Sequence, residues 1–135
     1  MAKGPLYGAV PIQSEVVTCG VGGIPPYRVV CRGPIDATTQ GRTGILPAAA
    51  TTPFFGASNN LIAAVAGDDV HVIQQGRAIG TAAVAIVRGD KLITDVNGRL
   101  SPALDVVGEQ HIGIAEEAAG ALGDFFSYEI RPYIR

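Results

Sequence analysis

Tryptophan is absent from this 135-residue chain, and only four tyrosines and four phenylalanines occur. Any core must therefore be built from alanine, valine and isoleucine, which supply the bulk of the 47% hydrophobic content. Cysteine is scarce as well. Cys19 and Cys31 cannot make a disulfide framework, and without nearby histidine partners they do not make a metal site. They read as buried thiols filling small apolar gaps, since a bridge between them would require adjacent strands. Charged residues reach only 16%, against roughly 25% in ordinary soluble domains. The net charge of −2 is spread over interspersed acids and bases, so there is no electrostatic footprint for nucleic acid. No apolar run approaches the roughly 20 residues that span a bilayer. The start, Met1-Ala2-Lys3-Gly4-Pro5, lacks the apolar stretch of a secretory signal, so synthesis and folding in a cytosol are expected. Sparse charge fits a surface largely covered by other subunits, or a polar but uncharged one.

What the chain does have is glycine and proline, 18 and nine of them, too many for a helical bundle and suited to short strands and tight turns. It also repeats itself. Gly41-Arg42, Phe54-Phe55-Gly56-Ala57 and Ala66-Gly67-Asp68-Asp69-Val70 return as Gly98-Arg99, His111-Ile112-Gly113-Ile114 and Leu122-Gly123-Asp124-Phe125-Phe126. The offset is about 57 residues, with a slip of one before the Gly-Asp pair, a long period for a solenoid. Two copies are too few for an open array. The expectation is one all-β domain, a small barrel or rolled β-sandwich made from a duplicated β unit, the copies running approximately over 27–80 and 88–130. Residues 1–14, with two prolines and two glycines around Leu6, Tyr7, Val10 and Ile12, read as an extended N-terminal arm that docks on the barrel, a sister subunit or a partner; residues 15–135 form the β domain.

Along the chain, strands are expected at 15–19, 27–32, near Ile45-Leu46, at 54–58, 70–74, 91–94, 108–115 and 125–130. Gln75-Gly76 reads as a turn that pairs 77–80 back on 70–74 as a hairpin. Residues 81–87 suit helix or strand equally. Asn97-Gly98 is a hairpin signal that places Leu92-Ile93 against Arg99-Leu100. Arg131-Pro132-Tyr133 reads as a tail, because proline cannot continue a central strand. About nine to eleven short strands result.

Reactive chemistry is hard to find. Arg88-Gly89-Asp90 spells an adhesion tripeptide but sits between apolar strands, so it reads as a charged β-turn. Asp68-Asp69 and Glu116-Glu117 are neighbours in sequence, and in a strand their side chains point to opposite faces. The Gly-Asp of the first copy returns as Gly123-Asp124, which suggests an aspartate accepting backbone N–H bonds in a turn. His71 alternates with Val70 and Val72 and belongs on a solvent or interface face; His111 precedes Ile112. Neither has a nucleophile at triad spacing. Gly20-Val21-Gly22-Gly23 lacks the Lys-Ser/Thr and helix of a phosphate cradle. No catalytic, metal or cofactor residue is expected.

The ordered series Tyr27-Arg28-Val29-Val30, Phe55-Gly56-Ala57-Ser58, Ala66-Gly67-Asp68-Asp69-Val70-His71-Val72, Arg88-Gly89-Asp90-Lys91-Leu92-Ile93-Thr94-Asp95, Asn97-Gly98-Arg99 and Ile112-Gly113-Ile114-Ala115-Glu116 resembles the tailed-phage capsid cement, or head decoration, proteins. The resemblance covers roughly residues 24–130; the arm and the loop at 33–52 fall outside it. It implies a β-rich, non-enzymatic protein, made in the bacterial host, that sits on the outer surface of the virion. Its partners would be the major capsid protein and further copies of itself, a trimer rather than a dimer. The resemblance supplies no catalytic residues. Tyr7, Val10 and Ile12 are the expected arm contacts, and Arg28, Arg77 and Arg99 the expected rim contacts. Two other readings stay open: a tail or baseplate β domain, and a barrel binding a small ligand or carbohydrate, which would show a deep pocket with convergent polar groups.

Overall fold

A computed structural model describes residues 10–33 and 42–135. Among them are nine strands and no helix: β1 (Val10–Cys19), β2 (Val29–Arg32), β3 (Thr43–Ile45), β4 (Gly56–Ser58), β5 (Asp69–Thr81), β6 (Lys91–Thr94), β7 (Leu100–Pro102), β8 (Gln110–Ala115) and β9 (Phe125–Ile134). The strand order β1-β3-β2-β4-β5 closes on itself through a long antiparallel ladder between β1 and β5, which makes a five-stranded barrel. Within it β1 and β3 run parallel and every other pair antiparallel. The remaining strands repeat this wiring. The order β5-β9-β8-β6-β7 has the same antiparallel pairs, and a parallel bridge between Ala82 and Leu100 draws β7 back to the end of β5. The molecule is thus two rings that share β5. The all-β, duplicated architecture read from the sequence is what the chain adopts.

One device starts four of the strands. At 65–68, 87–90 and 121–124 a glycine with φ of 95°, 93° and 89° takes the third place of a turn, a conformation that excludes most side chains. The aspartate that follows donates its N–H to the first residue's carbonyl, and its Oδ2 accepts that residue's own N–H, at 3.0, 2.8 and 3.1 Å for Val65, Val87 and Ala121. The glycine N–H then docks on the end of another strand, at the carbonyls of Cys19, Ala115 and Ala82 respectively. Gly108-Glu109 does the same at Arg135. Each of β5, β6, β9 and β8 is therefore launched beside the end of its antiparallel partner. The recurring Gly-Asp pair is a register pin, and Arg88-Gly89-Asp90 is one instance of it.

The two rings have separate interiors. Val17, Cys19, Ile24, Val30, Ala64, Val70 and Val72 fill the first, while Ile86, Leu92, Leu100, Ile112, Phe126, Tyr128 and Ile130 are among those filling the second. Volume moves between matching positions. Gly44 on β3 leaves space for Val17 and Val30, whose methyls would lie 2.9 Å from an added Cβ. At the matching places of the second ring, Leu100 replaces the glycine, and Gly80 on β5 replaces Val17 so that Leu100 and Tyr128 fit. Gly56 and Gly113 match as well: a Cβ on either would strike a carbonyl oxygen of the neighbouring strand, Ile73 or Glu129.

Several local expectations change. The hairpin at Gln75-Gly76 does not form; β5 runs straight through, with Gly76 at φ 106° opposite the irregular register of β1 between Pro11 and Ser14. The glycine bends one long strand from the first ring into the second rather than reversing it. Arg131-Pro132-Tyr133 is not a tail but the second half of β9, which past Glu129 pairs with β8 alone and skips a residue there, so the missing proline N–H is tolerated. The β6–β7 hairpin forms with Thr94, Ile93 and Leu92 opposite Leu100, Ser101 and Pro102, a shifted register. Its turn is longer than a two-residue one because Asp95 accepts the N–H groups of both Asn97 and Arg99. β1 begins at Val10, so residues 10–14 of the extended segment pair with β5. Tyr7 lies outside the described residues.

Candidate docking surfaces

The rings are locked by polar contacts at their junction. Val29 N–H donates to Gly98 at 2.8 Å, Arg28 Nη1 to Asn97 at 2.9 Å, and Thr81 Oγ1 to the carbonyls of Pro26 and Tyr27. The Tyr27 ring meets Phe125 edge-on at 5.0 Å. On the other side Gln110 bridges the rings: its Oε1 accepts Phe54 N–H at 2.8 Å while Nε2 donates to Thr52 at 2.8 Å and Ala50 at 3.3 Å. A body braced at two places transmits load without hinging.

The three arginines singled out in the sequence fall on this frame. Arg28 and Arg99 come together around Asp95, which binds Arg99 Nε at 3.2 Å. Burial and then the adjacent Arg99 lower the Arg28 pKa, and Asp95 partly offsets them. Arg77, in the middle of β5, pairs with Glu116 on the surface. All three are engaged within the chain, and Arg77 is the one that stays well exposed. Val10 and Ile12 belong to β1. His71 is exposed, its Nε2 3.0 Å from Ser14 Oγ. Both cysteines are buried free thiols; burial raises each pKa, that of Cys31 to about 11, with Asp68 adding to the effect at Cys19.

Sequence reading missed the environment of His111. The ring is buried, with Nε2 2.9 Å from Glu109 Oε1, and Glu109 is buried beside it. Burial opposes ionisation of Glu109, but N–H bonds from Leu104, His111 and Asp105 prevail and hold its pKa below the ordinary glutamate value. The alternation Glu109-x-His111 and the match of Gly108-Glu109 to the Gly-Asp turns were the available signals. Asp105, at φ 62°, completes a trio whose ligand-capable atoms lie within 4.8 Å of one another. Both Glu109 oxygens already accept hydrogen bonds from loop or ring, so the arrangement caps the 104–109 loop as the aspartates cap theirs.

Around that loop the surface is apolar. Leu104, Val106, Tyr133 and Ile134 are more than half exposed, and Val107 at the turn tip is 91% exposed. Leu104, Val106 and Val107 border a cleft of about 440 Å³ that Ala50, Thr51 and Ile93 help to line. A second cleft of about 310 Å³ lies on the first ring at Cys31, Arg32, Thr52, Pro53, Phe54 and Phe55. Exposed apolar side chains grouped in this way mark contact surfaces rather than reaction centres.

No protein-family model matches this sequence, and no curated protein matches it. Solved structures do match in shape, among them the head fiber gp8.5 N base of bacteriophage phi29, with a TM-score of 0.64 over 88% of this chain and 93% of that one, at 20% identity. The two chains share a fold.

Proposed function

We propose that this chain is a structural protein of a phage head, seated on the outer surface of the coat shell and stabilising it without catalysis. The observation that carries the reading is the shape match to a phage head-fibre base, which spans nearly the whole of both chains. The order of turns and strands that resembles cement proteins supports it independently. So do the mechanics. A closed first ring, a second ring pinned to it and apolar turn tips suit a clasp that holds neighbouring coat subunits against internal pressure.

The partners in this reading are the major capsid protein and further copies of the chain, a trimer in preference to a dimer. Many equivalent sites on a symmetric shell favour a multivalent binder. Nucleic acid and membrane have no part in it. The arm residues Tyr7, Val10 and Ile12 and the rim arginines Arg28, Arg77 and Arg99 remain the contacts assigned to the shell, Arg77 being the most exposed of the three arginines. The ligand-binding barrel is disfavoured by the rings themselves, whose centres are filled by Val17, Val30 and Val72 in the first and Leu92, Phe126 and Tyr128 in the second. Co-sedimentation with purified heads and purified tails separates the remaining readings. Binding to heads is expected; binding to tails alone would assign the chain to a tail or baseplate instead. A chain lacking residues 2–9, which leaves β1 whole, should fold and bind heads less well.

A further inference from the structure

The chain contains a worked example of how one ring accepts another. In the first ring the β3–β4 connection ends in a turn at 49–52, where Thr52 N–H donates to Ala49 and Thr52 Oγ1 accepts the Ala49 N–H. The hydrogen-bond pattern is that of the Gly-Asp turns, with threonine as the cap and no glycine at the third place. Its tip residues Ala50 and Thr51 are exposed and border the second-ring cleft beside Ile93, while the carbonyls of Ala50 and Thr52 accept from Gln110 Nε2 and tether the turn there. The matching turn of the second ring is 106–109, in the β7–β8 connection, and among the described residues nothing covers its tip. Conversely, the place matching the Ile93–Gln110 seat is the first-ring cleft at Cys31 and Pro53, which receives no turn among the described residues.

We infer that a second copy of this chain fills that vacancy: the 106–109 turn of one copy seats Val107 in the Cys31–Pro53 cleft of the next. The inference rests on the head-protein reading only for its setting and adds the surface by which copies join. The parts agree in size and character. The cleft, at about 310 Å³, accommodates a valine side chain, and Phe54, Phe55 and Pro53 make it apolar. Arg32 stacks on Phe55 at 4.2 Å at its edge, while Asp105 lies two residues from Val107, 65% exposed and in a loose 4.0 Å pair with Arg135, so opposite charges flank the contact. Tip and cleft are different patches, so the contact is head-to-tail, and copies close into a ring if the rotation allows it.

Sedimentation equilibrium of the full chain across a range of concentrations tests this. The wild type should associate. Val107→Asp should weaken association by more than about tenfold, because it buries an unpaired charge; with the side chain exposed in the single chain, its thermal midpoint should not move. Pro53→Glu, also at an exposed position, should act the same way from the other side. The double variant Pro53→Cys/Val107→Cys, made in a chain whose native thiols are removed by Cys19→Ala and Cys31→Ala and oxidised, should give covalent bands larger than two chains, which neither single cysteine in that background can form. A wild type that stays a single chain at about 100 μM, well above ordinary specific affinities, or a Val107→Asp chain that assembles normally, would overturn the inference. Head co-sedimentation of Val107→Asp is read separately: retained binding by single chains leaves the head-protein reading intact, and a wild type that associates but ignores heads leaves only the contact between copies.

Discussion

A single acidic side chain at the end of a turn decides where a strand begins. Glu109 shows the energetics most clearly, since it is buried and accepts from Leu104, Asp105 and His111 at once. Glu109→Gln keeps the shape but sets an amide N–H₂ against donors, which should cost about 1–3 kcal/mol in urea unfolding at neutral pH. Because the folded pKa is depressed, the stabilisation is complete above the ordinary glutamate pKa and fades as pH falls through the folded value. The gap between wild type and variant should therefore narrow in acid; a gap independent of pH would contradict the role of the charge. Cys31 allows a second check. With burial raising its thiol to about 11, labelling by a thiol reagent at pH 8 should be slow in the native protein and rapid in denaturant. Rapid native labelling would show a looser first ring.

At the scale of strands, two kinds of glycine behave differently. Gly67 has open space but φ of 95°, so Gly67→Ala should cost about 1 kcal/mol. Gly56→Ala and Gly113→Ala drive a Cβ into a neighbouring carbonyl, at 2.8 and 2.1 Å, and should each cost more in the same urea titration. Equal losses at all three sites would argue against the matching of β4 with β8. The exchanged volumes of the rings give a sharper test. Gly80→Ala overfills the second ring by about 1–3 kcal/mol and Leu100→Ala empties it by about 2–5 kcal/mol; together they should cost clearly less than the sum, a coupling that a double-mutant cycle measures.

These strands also show what the amino-acid order discloses. β6 falls where periodicity put it, and the Gly-Asp turns declare themselves through residue chemistry that needs no distant partner. Where reading failed, a distant partner decides. Gln75-Gly76 looks like a reversal until the partner strands β1 and β9 on opposite edges of β5 are known. Pro132 looks like an ending until half of β9 proves to pair with β8 alone. The clefts and the buried Glu109–His111 pair were invisible for the same reason: each gathers residues from connections whose meeting depends on how the rings stack.

The whole molecule is a braced pair of rings, one closed by a ladder and the other by a bridge, with apolar tips left outside. Such a body resists deformation because opening either ring breaks strand pairing rather than flexing a loop. The fold is shared with a phage head-fibre base, and in the proposed function that stiffness serves a shell under pressure. The most direct measurement is electron cryo-microscopy of particles released from lysing cells that express the gene. The account predicts density for the two-ring body repeated over the outside of the head, in contact with coat subunits. Heads free of that density, with the chain in tails or in the soluble fraction, would contradict it.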